Sequence, residues 1–130
     1  MRFTIEGPPR TKKNSMRIVK SGTRSRLIQS RAAMKWEDDA LLQLRSQLHR
    51  APSDLPVVVL PYYCGPVSMA ATVYRDRAVG DLLNFLSAIS DALERAGVVS
   101  DDKLIVSVDG SRLALDRKRP RVEIELLPAT

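Results

Sequence analysis

The stretch Gly80-Asp81-Leu82-Leu83-Asn84-Phe85-Leu86-Ser87-Ala88-Ile89-Ser90-Asp91-Ala92-Leu93-Glu94-Arg95-Ala96-Gly97 decides how the rest of the chain is read. Leu82, Phe85, Leu86, Ile89 and Leu93 recur at the spacing of one helical face, which predicts a helix from Asp81 to about Ala96. Gly80 separates that helix from the loop before it, Asp81 is a suitable N-cap, and Gly97 supplies the stop. Immediately downstream, Val98-Val99-Ser100-Asp101-Asp102 reads as a turn into a short strand, Leu104 to Val108. Working outward, a second helix is predicted from Ser30 to His49, with Ala33, Trp36, Ala40, Leu41, Leu44 and Leu48 on one side.

The remaining apolar segments carry strand signals. Residues 2 to 6 alternate before the breaker Gly7-Pro8-Pro9, Val67 to Tyr74 is rich in β-branched and aromatic residues, and Val122 to Leu127 alternates with Glu123 and Glu125. Met16 to Val19 can pair as a further strand within a basic, polar stretch. Val57 to Tyr63 reads as another strand, turned by Cys64-Gly65-Pro66 into a hairpin with the segment that follows. The order predicts an α+β fold: a single domain spanning residues 1–130, with a mixed β-sheet and two main helices packed on one face.

At 130 residues, with 44% hydrophobic and 28% charged residues, the chain has the composition of one globular domain. No apolar run reaches the roughly 18 residues of a membrane span. The opening residues lack the apolar core of a secretory signal, and a lone Cys64 excludes an intrachain disulfide, so an intracellular, cytoplasmic protein is expected. Chemistry based on a nucleophilic triad is excluded by a single histidine, His49, at a helix end. No Cys/His spacing suits zinc.

The net charge of +6 is unevenly spread. Residues 1–35 hold ten Lys/Arg and one acid, residues 36–110 hold six Lys/Arg against eleven Asp/Glu, and the remainder returns to a net +2. A basic arm beside an acidic centre suits an enzyme that neutralises phosphates around carboxylates that bind a divalent metal. A solvated surface with segregated charges is the alternative. Asp76, Asp81, Asp91, Asp101 and Asp102 gather around the helix predicted from Asp81 to Ala96, and Mg²⁺ prefers oxygen ligands of this kind. Asp81 and Asp102 nevertheless fall at opposite ends of that helix, and meet only if the following strand returns Asp102 or a second subunit supplies one of them. Helix capping for Asp81 and turn formation for Asp101-Asp102 explain the same residues without any metal.

The segments Gly80 to Asn84, Asp91-Ala92-Leu93-Glu94-Arg95-Ala96-Gly97 and Asp101-Asp102-Lys103, with the opening Gly7-Pro8-Pro9-Arg10-Thr11-Lys12-Lys13-Asn14-Ser15, resemble the RusA-type Holliday-junction resolvases. That resemblance implies a Mg²⁺-dependent endonuclease that cleaves four-way DNA junctions as a homodimer, away from membranes. It assigns catalysis and metal binding to Asp81 and Asp102, with Asp101 adjacent as a catalytic candidate; Asp76, in the loop five residues before Asp81, is the acid placed to assist as a further metal ligand. The family's second Asp falls on Leu83 and its catalytic Lys on Ser87, so a protein that binds branched DNA without efficient cleavage is the alternative. Lys103 is the candidate replacement cation, and Asn84 matches the family's Asn. For DNA phosphates the expected contacts are Lys12, Lys13, Asn14, Arg17, Lys20, Arg24 and Arg26 in the basic arm, and Arg117, Lys118 and Arg119 in a second basic loop.

Overall fold

The computed structural model describes residues 1–11, 17–21, 24–28, 31–50 and 60–129. Its centre is a mixed five-stranded sheet. Strand β1 (Arg2–Glu6) pairs antiparallel with β7 (Arg121–Pro128), with Phe3 opposite Ile124, and β7 pairs antiparallel with β4 (Val67–Arg75), with Ala71 opposite Ile124. The free edge of β4 carries two short strands end to end and both parallel to it: β5 (Ile105–Ser107) beside its start and β6 (Arg112–Leu115) beside its finish. Between them, where the ladder is interrupted, the Ser111 hydroxyl accepts the buried Ala71 N–H at 3.0 Å. A two-stranded antiparallel ribbon, β2 (Arg17–Ser21) and β3 (Arg24–Ile28), stands apart from this sheet.

Both helices cover one face of the sheet, as their apolar spacing predicts. Helix α1 (Arg31–His49) buries Ala33, Trp36, Ala40, Leu44 and Leu48, and α2 (Leu82–Arg95) buries Phe85, Leu86, Ile89, Ala92 and Leu93. They share one core with the alternate residues Phe3, Ile5, Val67, Met69, Ala71, Val73, Val122, Ile124 and Leu126. Helix α1 also closes the outer edge of β1. Gln47 accepts from Thr4 N–H at 2.8 Å and donates to Thr4 C=O at 2.6 Å, while Gln43 makes the same pair of bonds to Glu6 at 2.7 and 3.0 Å. Two glutamines one helical turn apart thus match alternate residues of an edge strand, which would otherwise present unpaired backbone groups.

One expectation changes, and two strands appear that sequence reading did not assign. The hairpin predicted over residues 57–74 does not form in its described part: residues 60–62 bend, and Tyr63 bridges in parallel to Val99, not to β4; residues 57–59 lie outside the described residues. Apolar, β-branched content alone does not choose a partner strand. Arg112–Leu115, to which sequence reading assigned no element, is a strand, and Arg24–Ile28, within the basic, polar stretch, is the second strand of the ribbon. In both cases pairing with a neighbour overrides weak local propensity.

Candidate functional site

The termini of α2 define two poles. At its start, Asp81 has extended backbone angles and its Oδ1 accepts the Asn84 N–H at 3.0 Å, an N-cap made possible by Gly80, whose φ of 95° favours glycine. Asn84 Nδ2 is buried and has no hydrogen-bond partner among the described residues. Leu83 and Ser87 are both exposed, Leu83 by 76%, so neither packs into the core of the chain.

The loops that surround this end of α2 are basic. The connections after β1, β4 and β6 converge here, stitched by Asp116 N–H to Arg75 C=O at 2.8 Å and Gly7 N–H to Pro120 C=O at 3.0 Å. Asp116 organises the turn into β7, accepting from the backbone of Lys118 and Arg119 at 3.2 and 3.1 Å and from Arg121 Nη1 at 3.0 Å. Those bonds, the Arg119 N–H first and the Arg121 guanidinium next, hold its carboxyl below the ordinary range. Arg121 lies 3.8 Å over the Tyr74 ring, and Arg119 is paired with Glu6. Arg117 and Lys118 are exposed at the tip of this turn. Asp76, the first residue after β4, is bound through both oxygens by Arg10, at 2.8 and 2.9 Å.

At the other end of α2 the chain turns sharply. Gly97, at φ 81°, follows the last turn, with Gly97 N–H bonded to Glu94 C=O at 3.0 Å and Val98 N–H to Leu93 C=O at 2.9 Å, a Schellman pattern. This reversal brings Asp101 and Asp102 back against the helix end. Asp101 caps a short 3₁₀ turn (Asp102–Leu104) by accepting the Lys103 N–H at 2.9 Å, a bond that lowers its pKa. Carboxylate oxygens of Asp91, Glu94 and Asp102 come within 4.8 Å of one another. Crowding by neighbouring atoms, followed by repulsion from Asp102, Asp101 and Asp91, raises the pKa of Glu94.

Of the acids expected at a metal, the structure brings Asp101 and Asp102 to one pole, and Asp76 and Asp81 to the other. Asp81 and Asp91 are ten residues apart on one helix, about 15 Å along its axis at 1.5 Å per residue. Within one chain, therefore, Asp81 does not reach the Asp102 cluster. Sequence reading named Asp91 among the acids near α2 without assigning it a role, and missed Glu94. Their three-residue spacing on a helix followed by a glycine stop was the available signal. Of the expected phosphate contacts, Arg17, Lys20, Arg24 and Arg26 lie on the β2–β3 ribbon, and Arg117, Lys118 and Arg119 on the turn before β7. Lys12, Lys13 and Asn14 lie outside the described residues.

Comparison with known families closes the question of descent: the family described as Endodeoxyribonuclease RusA matches residues 6–127. The chain belongs to the RusA family. The match runs from the last residue of β1 into the last residues of β7, so it takes in both poles and the mixed sheet apart from most of β1. RusA proteins are endodeoxyribonucleases that resolve Holliday junctions, generally with a divalent metal, and branched DNA is the substrate class this membership supports. No curated protein matches the chain. Among the described residues no helix is long and apolar enough to cross a membrane.

Proposed function

We propose that this RusA-family chain is a Mg²⁺-dependent, structure-selective endonuclease that nicks four-way DNA junctions as a homodimer, in which Asp81 of one copy and Asp102 of the other serve the same metal. The observation that carries this reading is the separation of acids along α2. Asp102 sits with Asp91 and Glu94, a set of three carboxylates that suits a hard, oxygen-seeking cation, while Asp81 caps the far end of the helix among basic loops. Antiparallel association about a two-fold axis sets the acidic pole of each copy against the basic pole of the other and generates two equivalent sites, which suits paired nicks.

In this arrangement the Asp102 and Asp81 carboxylates hold the ion. Arg117 and Lys118, with the basic arm of Lys12, Lys13, Asn14, Arg17, Lys20, Arg24 and Arg26, bind the phosphates of the junction arms. Arg119 supports the Arg117-Lys118 turn through Glu6. Asp101 keeps the Asp102 turn in shape through its bond to the Lys103 N–H. A bound divalent ion supplies charge neutralisation at the scissile phosphate and a more acidic water. The chain supplies orientation: an Asp held at a helix cap and an Asp held on a capped 3₁₀ turn have little freedom to lose.

A second reading, a junction-binding protein with little turnover, is favoured by the exposure of Leu83 and Ser87. Both offer solvent a side chain that contributes neither a negative ligand nor a cation. One experiment separates the readings. Asp81→Asn and Asp102→Asn proteins are each expected to bind a labelled junction without cutting it. Mixing them under subunit exchange should restore about a quarter of parental nicking, because half of random dimers are mixed and each holds one intact site. A mixture that stays inactive, with both single variants inactive, refutes sharing between copies. A parent protein that binds but never nicks selects the second reading.

A further inference from the structure

Five residues, 76–80, connect β4 to the Asp81 cap of α2, and they are pinned at both ends. At the far end, Arg75 Nη1 donates to Gly80 C=O at 3.2 Å, and Val79 N–H bonds to Arg77 C=O at 2.8 Å within the loop. The near end is held from outside it. Arg10 Nη1 and Nη2 meet the two Asp76 oxygens at 2.8 and 2.9 Å, and Nη1 also donates to Pro9 C=O at 2.9 Å. With side chains only 18% and 27% exposed, Arg10 and Asp76 are shielded enough for the pair to have a defined geometry.

We propose that Arg10 and Asp76 are positioning residues for the Asp81 carboxylate: their two-pronged pair fixes the 76–80 connection against the Pro9-Arg10 segment, which runs directly into the basic arm. The proposal rests on the reading of Asp81 as a metal ligand. It gives Asp76 a role different from that of a ligand, since both of its oxygens already accept charge-assisted bonds that a metal would have to displace. Arg10 hydrogen bonding holds the Asp76 carboxyl below its ordinary 3.8, so the pair stays ionised at neutral pH. The fork geometry matters as much as the charge. Two parallel bonds set the orientation of a planar carboxylate, and a lysine, with a point charge, does not reproduce them. The same pair ties the segment that precedes Lys12 and Lys13 in sequence to the loop that presents Asp81.

Three full-length variants test this: Asp76→Asn, Arg10→Lys and the exchanged pair Arg10→Asp with Asp76→Arg. Two readouts are taken, amide hydrogen exchange over residues 77–81 and single-turnover cleavage of a four-way junction with Mg²⁺. Charged hydrogen bonds worth about 1.5–3 kcal/mol correspond to faster loop exchange by roughly tenfold to a hundredfold in the first two variants, with β4 and β7 amides unchanged. Cleavage should fall by about tenfold to a hundredfold while junction affinity stays within about threefold, the signature of misplacement rather than lost binding. The exchanged pair should recover part of both. Unchanged exchange over 77–81 overturns the clamp, as does faster exchange with undiminished cleavage. Loss of cleavage in Asp76→Asn without faster exchange, not recovered by the exchanged pair, makes Asp76 a ligand and overturns the proposal. A parent that does not cleave defeats the endonuclease reading, while the exchange data still decide the clamp.

Discussion

Replacing Leu83 by Asp is the perturbation whose outcome the structure changes most. From sequence, position 83 is compatible with partial burial on α2, and burying a carboxylate there would cost several kcal/mol. The structure leaves Leu83 76% exposed, so only about a quarter of its surface is at stake. Full burial of a leucine is worth about 1.5–3 kcal/mol, so the loss is at most roughly 0.7 kcal/mol. Against it stands an acid two residues past the cap, in the first turn of a helix, which gains about 0.3–1 kcal/mol from the helix dipole. The net change is expected within about 0.7 kcal/mol of zero, a shift of only a few degrees in Tm for a domain of this size. Urea unfolding measures it. Mg²⁺-dependent junction cleavage should rise in the same variant, and rise further with Ser87→Lys, because an acid and a cation then face solvent beside Asp81. Destabilisation beyond about 2 kcal/mol would show that Leu83 is packed after all. A folded double variant with no more cleavage than the parent would sink the idea that this site is a depleted form of the family's.

Further outcomes follow from individual contacts and from the charge pattern. Ser111→Ala should cost about 1–3 kcal/mol, since it strands the buried Ala71 N–H between β5 and β6, and exchange at that amide should accelerate; an effect under about 0.5 kcal/mol would mean water replaces the hydroxyl. Asp76→Asn should lower stability at pH 7 but progressively less below about pH 4, because a depressed carboxyl pKa stabilises the fold above the unfolded value and loses that contribution as pH falls through the folded one; a gap between variant and parent that does not narrow as pH falls contradicts the ion pair. Arg117→Ala with Lys118→Ala, and separately Lys12→Ala with Lys13→Ala, should each flatten the salt dependence of DNA binding by up to about two phosphate contacts and leave junction preference intact. Arg119→Ala should change it less, as its guanidinium is engaged with Glu6. An unchanged slope in either pair would mark those residues as solvated charge.

Much of the architecture was legible in the residues because it rests on local periodicity. The α2 stripe from Leu82 to Leu93, the α1 stripe from Ala33 to Leu48, the alternation in β1 and β7 and the β-branched and aromatic content of β4 are each read without reference to anything distant, and together they point to an α+β domain with both helices on one side of the sheet. Cap chemistry was equally local: Asp81 before an apolar run and Gly97 after it mark the limits of α2. Family membership was visible in the same way, through short ordered motifs. Partner choice was not. Whether residues 60–63 pair with β4 or with Val99, whether Arg112–Leu115 forms a strand, and which backbone groups Gln43, Gln47 and Ser111 satisfy depend on atoms brought together from distant parts of the chain. The site divides along the same line. Sequence marked the acids at 76, 81, 101 and 102, but only the reversal at Gly97 joined Asp102 to Asp91 and Glu94, and only the meeting of two loops bound Asp76 to Arg10. Hydrophobic period is a property of neighbours along the chain, whereas the distance between two carboxylates is set by the packing of every element between them.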